Sequence, residues 1–204
     1  MKIVNKILLK IYLICVFLVL YAGEGFGLTE LPDVESPKWT KKYDHYFRKY
    51  AKRYFGAGFD YFWFKSQAIA ESKLKKDAKS WVGAKGLMQI MPRTFEEIRE
   101  RNPSFKHVSE PRWNIAAGIY YDRKMFKFWK DDRPFLDKMG FAFASYNAGA
   151  QNILKGQKYC LKMKGDECNL WKEVESFGPK VKTWRHRETI HYLKEIFRLM
   201  KSRI

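Results

Sequence analysis

The stretch AIAESKLKKDAKSWVGAKGLMQIMP, residues 68–92, decides the reading of this chain. It opens as the end of an apolar helix, with Ala68, Ile69 and Ala70 leading into Glu71. A carboxyl at the C-terminal end of a helix faces the negative pole of the helix dipole, and apolar neighbours take water away from it. Both effects favour the protonated form, the state needed to give a proton to a leaving oxygen near neutral pH. Lys73, Lys75 and Lys76 oppose that shift, and a lone Glu at a helix end is ordinarily a solvated one. The residues that follow change the balance. Gly83 and Gly86 permit backbone conformations closed to other residues and let a ligand approach the main chain. Leu87, Met88, Ile90 and Met91 are expected to pin the segment to a core, with the amide of Gln89 free to meet a ligand hydroxyl or acetamide.

Working outward, helical patterns dominate. Trp39, Tyr43, Phe47, Tyr50 and Tyr54 predict an amphipathic helix over 38–55, ended by Gly56 and Gly58. Asp60 can cap a second helix running to Glu71. Pro92 and Thr94 open a helix over 93–101, ended by Asn102-Pro103. Ser109 and Pro111 start a longer one, and Pro134 sits in the first turn of the next, which carries Tyr146. Residues 149–168 read as an irregular insertion, and 186–200 as a last helix with Ile190, Leu193, Ile196 or Phe197, and Met200 inward. Strand signal is confined to a short ribbon near 80–91. The expected fold is mainly α, with a short β-ribbon or irregular segment after the helix that bears Glu71.

Charge and composition narrow the partners. The formal net charge is +18, which draws a protein toward polyanions: nucleic acid, anionic lipid or anionic cell-wall polymers. No nucleic-acid motif accompanies the charge, so no nucleic-acid partner is expected. The 7 Trp, 12 Tyr and 16 Phe suit either a packed core or a groove that stacks on flat ligands. Residues 1–22 begin with Lys2, Lys6 and Lys10 and continue with an uncharged apolar run from Ile11 to Ala22. That run is short of the about 20 residues a membrane span needs, so it reads as a secretory signal, with an uncleaved membrane anchor as the alternative. Residues 23–37 read as a linker and 38–204 as one domain. Cys160 and Cys168 are a candidate disulfide of an exported chain. Their spacing gives no metal motif, and His45, His107, His186 and His191 are scattered, so neither metal nor cofactor is expected.

Four elements in this order resemble the soluble lytic transglycosylases of the lysozyme-like superfamily, which also holds the goose-type lysozymes. The first runs from Glu71-Ser72 through Ser80, Gly83-Ala84 and Gly86 to Pro92. The second is Trp113-Asn114-Ile115-Ala116-Ala117-Gly118, then Tyr120-Tyr121. The third is Ala144-Ser145-Tyr146-Asn147-Ala148-Gly149, and the fourth Glu188-Thr189-x-x-Tyr192. Together they cover roughly residues 60–196. Ser145 stands where the family often carries Ala, and Trp184-Arg185-His186-Arg187 replaces an apolar-Pro segment before the fourth element.

The resemblance implies a mainly α fold of the α+β lysozyme-like kind, and it implies roles. Glu71 matches the catalytic acid/base. Ser72, Ser80, Gln89 and Met91 match cleft-lining positions, Tyr146 a tyrosine near the catalytic carboxyl, Asn147 a supporting neighbour, and Glu188 and Tyr192 residues closing the cleft from the last helix. Asn114 reads as structural. The implied activity is cleavage of the β-1,4 bond between N-acetylmuramic acid and N-acetylglucosamine in peptidoglycan glycan strands, leaving 1,6-anhydromuramic ends. A goose-type lysozyme hydrolase is the near alternative, and a wall-binding scaffold of an envelope-spanning machine the distant one. The implied location is the periplasm or cell envelope, with membrane attachment through residues 1–22 and envelope machinery as candidate partners.

Overall fold

The computed structural model describes residues 31–130, 132–165 and 168–204. The chain divides into two units, 1–31 and 32–204. The signal-or-anchor reading of residues 1–22 lies outside the described residues. Among those described, no helix is long and apolar enough to cross a membrane.

The larger unit is mainly helical. Its elements are α1 (Asp44–Phe55), α2 (Phe62–Ser72), α3 (Pro92–Arg101), α4 (Pro111–Phe128), α5 (Phe135–Ala148), α6 (Ala150–Lys164), α7 (Trp171–Glu175), a 3-10 turn (Gly178–Lys180) and α8 (His186–Leu199). Helix α5 is buried from Met139 to Ser145 without a break. A helix apolar on all sides must sit inside. It packs against α4, α6, α7 and α8, while α2 lies against α1 and α8. The aromatic residues go mainly into this core. Trp63 on α2, for example, meets Phe135 and Phe143 of α5 and Phe197 of α8.

Local chemistry sets several boundaries. Asp60 accepts the Phe62 N–H at 3.0 Å and so starts α2. Pro92 and Pro111 occupy the first turns of α3 and α4, where a missing N–H costs nothing. Helix α1 begins at Asp44 rather than 38, because Trp39 instead turns its indole N–H to the Asp33 carbonyl at 2.8 Å. The linker reading of 23–37 fails at its end. Val34 is fully buried and its N–H bonds Leu199 at 2.9 Å, while Arg198 donates to the Pro32 carbonyl at 3.0 Å.

The irregular insertion expected over 149–168 is mostly regular helix, α6. Its buried stripe is Ile153, Gly156, Gln157 and Cys160, a proper helical spacing that contains a glycine and an amide where periodicity looks for large apolar residues. Gly156 is required because a Cβ there would lie 2.9 Å from the Trp184 ring. Cys160 and Cys168 are disulfide-bonded, with Cα atoms 5.9 Å apart. In α8 the inward residues are Thr189, Tyr192, Leu193, Ile196 and Leu199. Ile190 is only half-buried, so the start of the helix is turned from the expected register. The ribbon near 80–91 survives as two isolated bridges, Lys79 with Lys85 and Lys85 with Ile90.

Candidate functional site

Glu71 occupies the last turn of α2, after the buried Ala68 and Ile69. Lys73 and Leu74 both have positive φ, 55° and 59°, so the helix stops sharply behind the carboxyl. Leu74 is buried and pins the turn. The Glu71 side chain is half-buried. Loss of water around it pushes its pKa up to about 8. The neighbouring Tyr192 hydroxyl partly opposes that rise, and the negative charge of Glu188 adds to it. Lys73, expected to oppose the shift, pairs instead with Glu195 of α8 at 3.4 Å.

The loop after α2 is built around Asn114 of α4, which is fully buried. Its Oδ1 accepts the Met88 N–H at 2.7 Å, and its Nδ2 donates to the carbonyls of Lys85 and Val108, both at 2.8 Å. Gly86 has φ 77°, and a Cβ there would sit 2.5 Å from the Asn114 amide nitrogen. Only glycine allows both the turn and the approach. Met88 packs on Gly118 of α4, where a Cβ would come within 2.8 Å of its side chain. The Met88 carbonyl then accepts the Tyr146 hydroxyl at 2.6 Å. The Tyr146 ring meets that of Tyr121 edge-on, with centroids 5.4 Å apart. Tyr121 also walls a cleft of about 160 Å³ between α3 and α4, with Thr94, Glu97 and Lys124.

Several sequence-selected residues turn their polar atoms to the protein. Ser72 donates to the carbonyls of Ala68 and Leu87, at 3.1 and 2.8 Å. The Ser80 hydroxyl accepts the Ala84 N–H at 3.0 Å. Gln89, at φ 45°, donates its amide to the carbonyls of Ala78 and Gly86 at 3.2 and 2.9 Å. Those three brace the loop, and for Gln89 only the amide oxygen is left to meet a ligand. Met91 is exposed. Asn147 accepts from the Thr189 hydroxyl at 2.8 Å, and Thr189 accepts from the Trp184 indole at 3.0 Å, tying α5 to α8. Glu188 is exposed and paired with Arg185 at 2.9 Å. Tyr192 is buried, with its hydroxyl beside Glu71. Among the described residues no group of His, Cys, Asp and Glu could hold a metal ion.

Sequence reasoning passed over Gln67 and Asp122. Gln67 lies one turn before Glu71 on α2, and its Nε2 donates to Asp122 Oδ1 at 3.1 Å. Both are buried. Asp122 was detectable in principle, since it falls on the apolar stripe of α4 with Ile115, Ile119 and Met125.

Residues 46–168 match the family model described as the transglycosylase SLT domain. The chain belongs to this family. Membrane-bound lytic murein transglycosylase F of Shewanella pealeana is 27% identical to it, over 77% of this chain and 33% of the relative. The protein of the same name from Aliivibrio fischeri is 26% identical, over 76% of this chain and 28% of the relative. The chain thus spans a third or less of these relatives. Among solved structures, the 70 kDa soluble lytic transglycosylase of Escherichia coli aligns with TM-score 0.57 at 23% identity, over 77% of this chain and 23% of that one. An inactive Glu-to-Gln mutant of lytic transglycosylase Slt from Pseudomonas aeruginosa aligns with TM-score 0.58 at 22% identity, over 78% and 24%. This SLT domain therefore has the fold of those enzymes.

Proposed function

We propose that this SLT domain is an exported peptidoglycan lytic transglycosylase with Glu71 as its acid and then its base. The observation that carries the reading is a half-buried carboxyl at the end of α2, its pKa pushed up to about 8 by loss of water, within the residues that match the SLT family. Glu71 gives its proton to the oxygen leaving C1 of N-acetylmuramic acid, and the C1–O bond breaks. The substrate's acetamide stabilises the charge at C1. The C6 hydroxyl oxygen bonds C1 and its proton passes to the Glu71 carboxylate, which restores the acid. No water is consumed. A nucleophile already tethered to the substrate gains effective concentration over water.

A two-carboxylate hydrolysis needs an ionised partner that reaches the sugar. Asp122 is sealed from solvent, and burial holds its carboxyl well above the usual range. Glu188 is exposed and within electrostatic reach of Glu71, so it is the group a goose-type hydrolase would use. Mass spectrometry of products from purified sacculi separates the two. Anhydromuramic ends are expected, and reducing ends would replace the proposal by hydrolysis. Binding to sacculi with no solubilisation at any pH or salt would favour the scaffold reading.

The acid role also sets the pH dependence. Activity is expected to hold through neutrality and fall as pH rises through about 8, because the Glu71 proton is lost there. Product release measured against pH checks this. An alkaline limb near the ordinary carboxyl range would overturn the raised pKa of Glu71.

The basic surface suits the anionic wall, and residues 1–22 would carry the chain to the periplasmic side. Binding to sacculi that does not weaken with salt would count against the electrostatic part.

A further inference from the structure

The core behind Glu71 holds a second carboxyl that packing does not call for. Asp122 is 1% exposed on the inward stripe of α4. Among the described residues no cation pairs with it. Gln67 donates to its Oδ1, and its Oδ2 has no hydrogen-bond partner. Gln67 and Glu71, four apart on α2, share one helix face. Gln67 Oε1 has no partner, and the Tyr192 hydroxyl lies close to both the Gln67 side chain and Glu71. Asp122, Gln67 and Tyr192 thus form a buried polar row from α4 across α2 to α8 that ends at Glu71. Such a row opposes folding wherever its atoms lack partners, and an apolar residue at 122 would complete the stripe.

We propose that Asp122 is a positioning residue that captures the Gln67 amide nitrogen and so withholds it from Glu71, leaving the Tyr192 hydroxyl as the donor that faces that carboxyl. The proposal rests on the reading of Glu71 as an acid. An amide N–H turned onto Glu71 would favour the carboxylate and drain the protonated form that must give its proton away. The titratable and charged groups around the pair are Glu71 from α2, Tyr121 from α4, Tyr146 from α5, and Tyr192 and Glu188 from α8. None is a cation. Burial favours the neutral form of Asp122, and any charge on Glu71 pushes it further in that direction. In that form Asp122 accepts from Gln67 without adding a competing charge while Glu71 cycles.

The test reads Glu71 itself, by carboxyl NMR titration of the full chain labelled at Glu, with Glu71→Gln assigning the resonance. Asp122→Asn keeps an acceptor for Gln67 and is expected to leave the Glu71 midpoint unchanged. Asp122→Leu frees the amide and is expected to lower the midpoint by about one pH unit. Adding Gln67→Leu to Asp122→Leu is expected to return it. A midpoint that does not fall in Asp122→Leu, or that stays low in the double variant, overturns the proposal. Melting covers the case in which Asp122→Leu does not fold. Asp122→Asn is expected to melt above the wild type at pH 7, with the gap closing toward about pH 4, because Asp must take up a proton to be buried. A lower melting point at pH 7 means Asp122 is held as a charged partner, and the proposal falls. If Glu71→Gln cleaves sacculi at full rate, the acid reading fails separately, since none of these readouts uses activity.

Discussion

A Glu71→Gln variant is expected to solubilise sacculi roughly 10³-fold or more slowly than the wild type, since it removes both proton transfers at once. The same variant is expected to be more stable at pH 7. Glu71 holds its proton in the folded chain up to about pH 8, whereas the unfolded chain releases it in the ordinary carboxyl range. Folding at pH 7 therefore requires proton uptake, and this penalty grows as pH rises from the unfolded value to the folded one. Discounted for the water that reaches a half-buried side chain, it amounts to roughly 2–3 kcal/mol at pH 7. Gln carries no such penalty. Paired assays of sacculus release and thermal melting at pH 5 and pH 7 check both parts. The stability gain should be larger at pH 7. A variant that loses activity but also loses stability at both pH values would mean that Glu71 is structural.

Asn114→Leu carries the largest expected loss of stability. The substitution keeps the branched outline but orphans the Met88 N–H and the carbonyls of Lys85 and Val108. Leaving those buried groups unpaired costs roughly 3–5 kcal/mol. For a body of this size that lowers the melting temperature by roughly 10 °C. The bulkier side chain also crowds Gly86, where a Cβ would sit 2.5 Å from the Asn114 amide nitrogen. Activity should vanish with the turn, because the Met88 carbonyl that holds the Tyr146 hydroxyl is set by the same clamp. Circular dichroism melts check the stability loss. A melting temperature within a few degrees of the wild type would show that the loop 85–90 is held by the burial of Leu87 and Met88 alone.

The helices and Glu71 itself were legible because their signals are local. Apolar spacing marks α2, α4, α5 and α8, prolines mark the starts of α3 and α4, and a carboxyl after Ala68-Ile69-Ala70 is conspicuous in one dimension. The ends of elements were less legible where a tertiary contact outweighs propensity. Val34 is pulled out of an apparent linker by Leu199, and α6 hides its stripe behind Gly156 and Gln157, which are there to receive Trp184 and the Cys168 carbonyl. Which polar groups face the site was not in the sequence at all. Ser72, Ser80 and Gln89 have the chemistry of ligand contacts, yet the loop turns all three toward backbone groups, because a buried carbonyl or N–H must find a partner before any ligand arrives. Conversely, Gln67 and Asp122 stand 55 positions apart in the chain and become neighbours only when α2 crosses α4. The sequence alone determined the helical fold and singled out Glu71 as the candidate acid. The tertiary structure alone decided how strongly that acid holds its proton, since desolvation and neighbouring charge depend on what the folded chain brings around it.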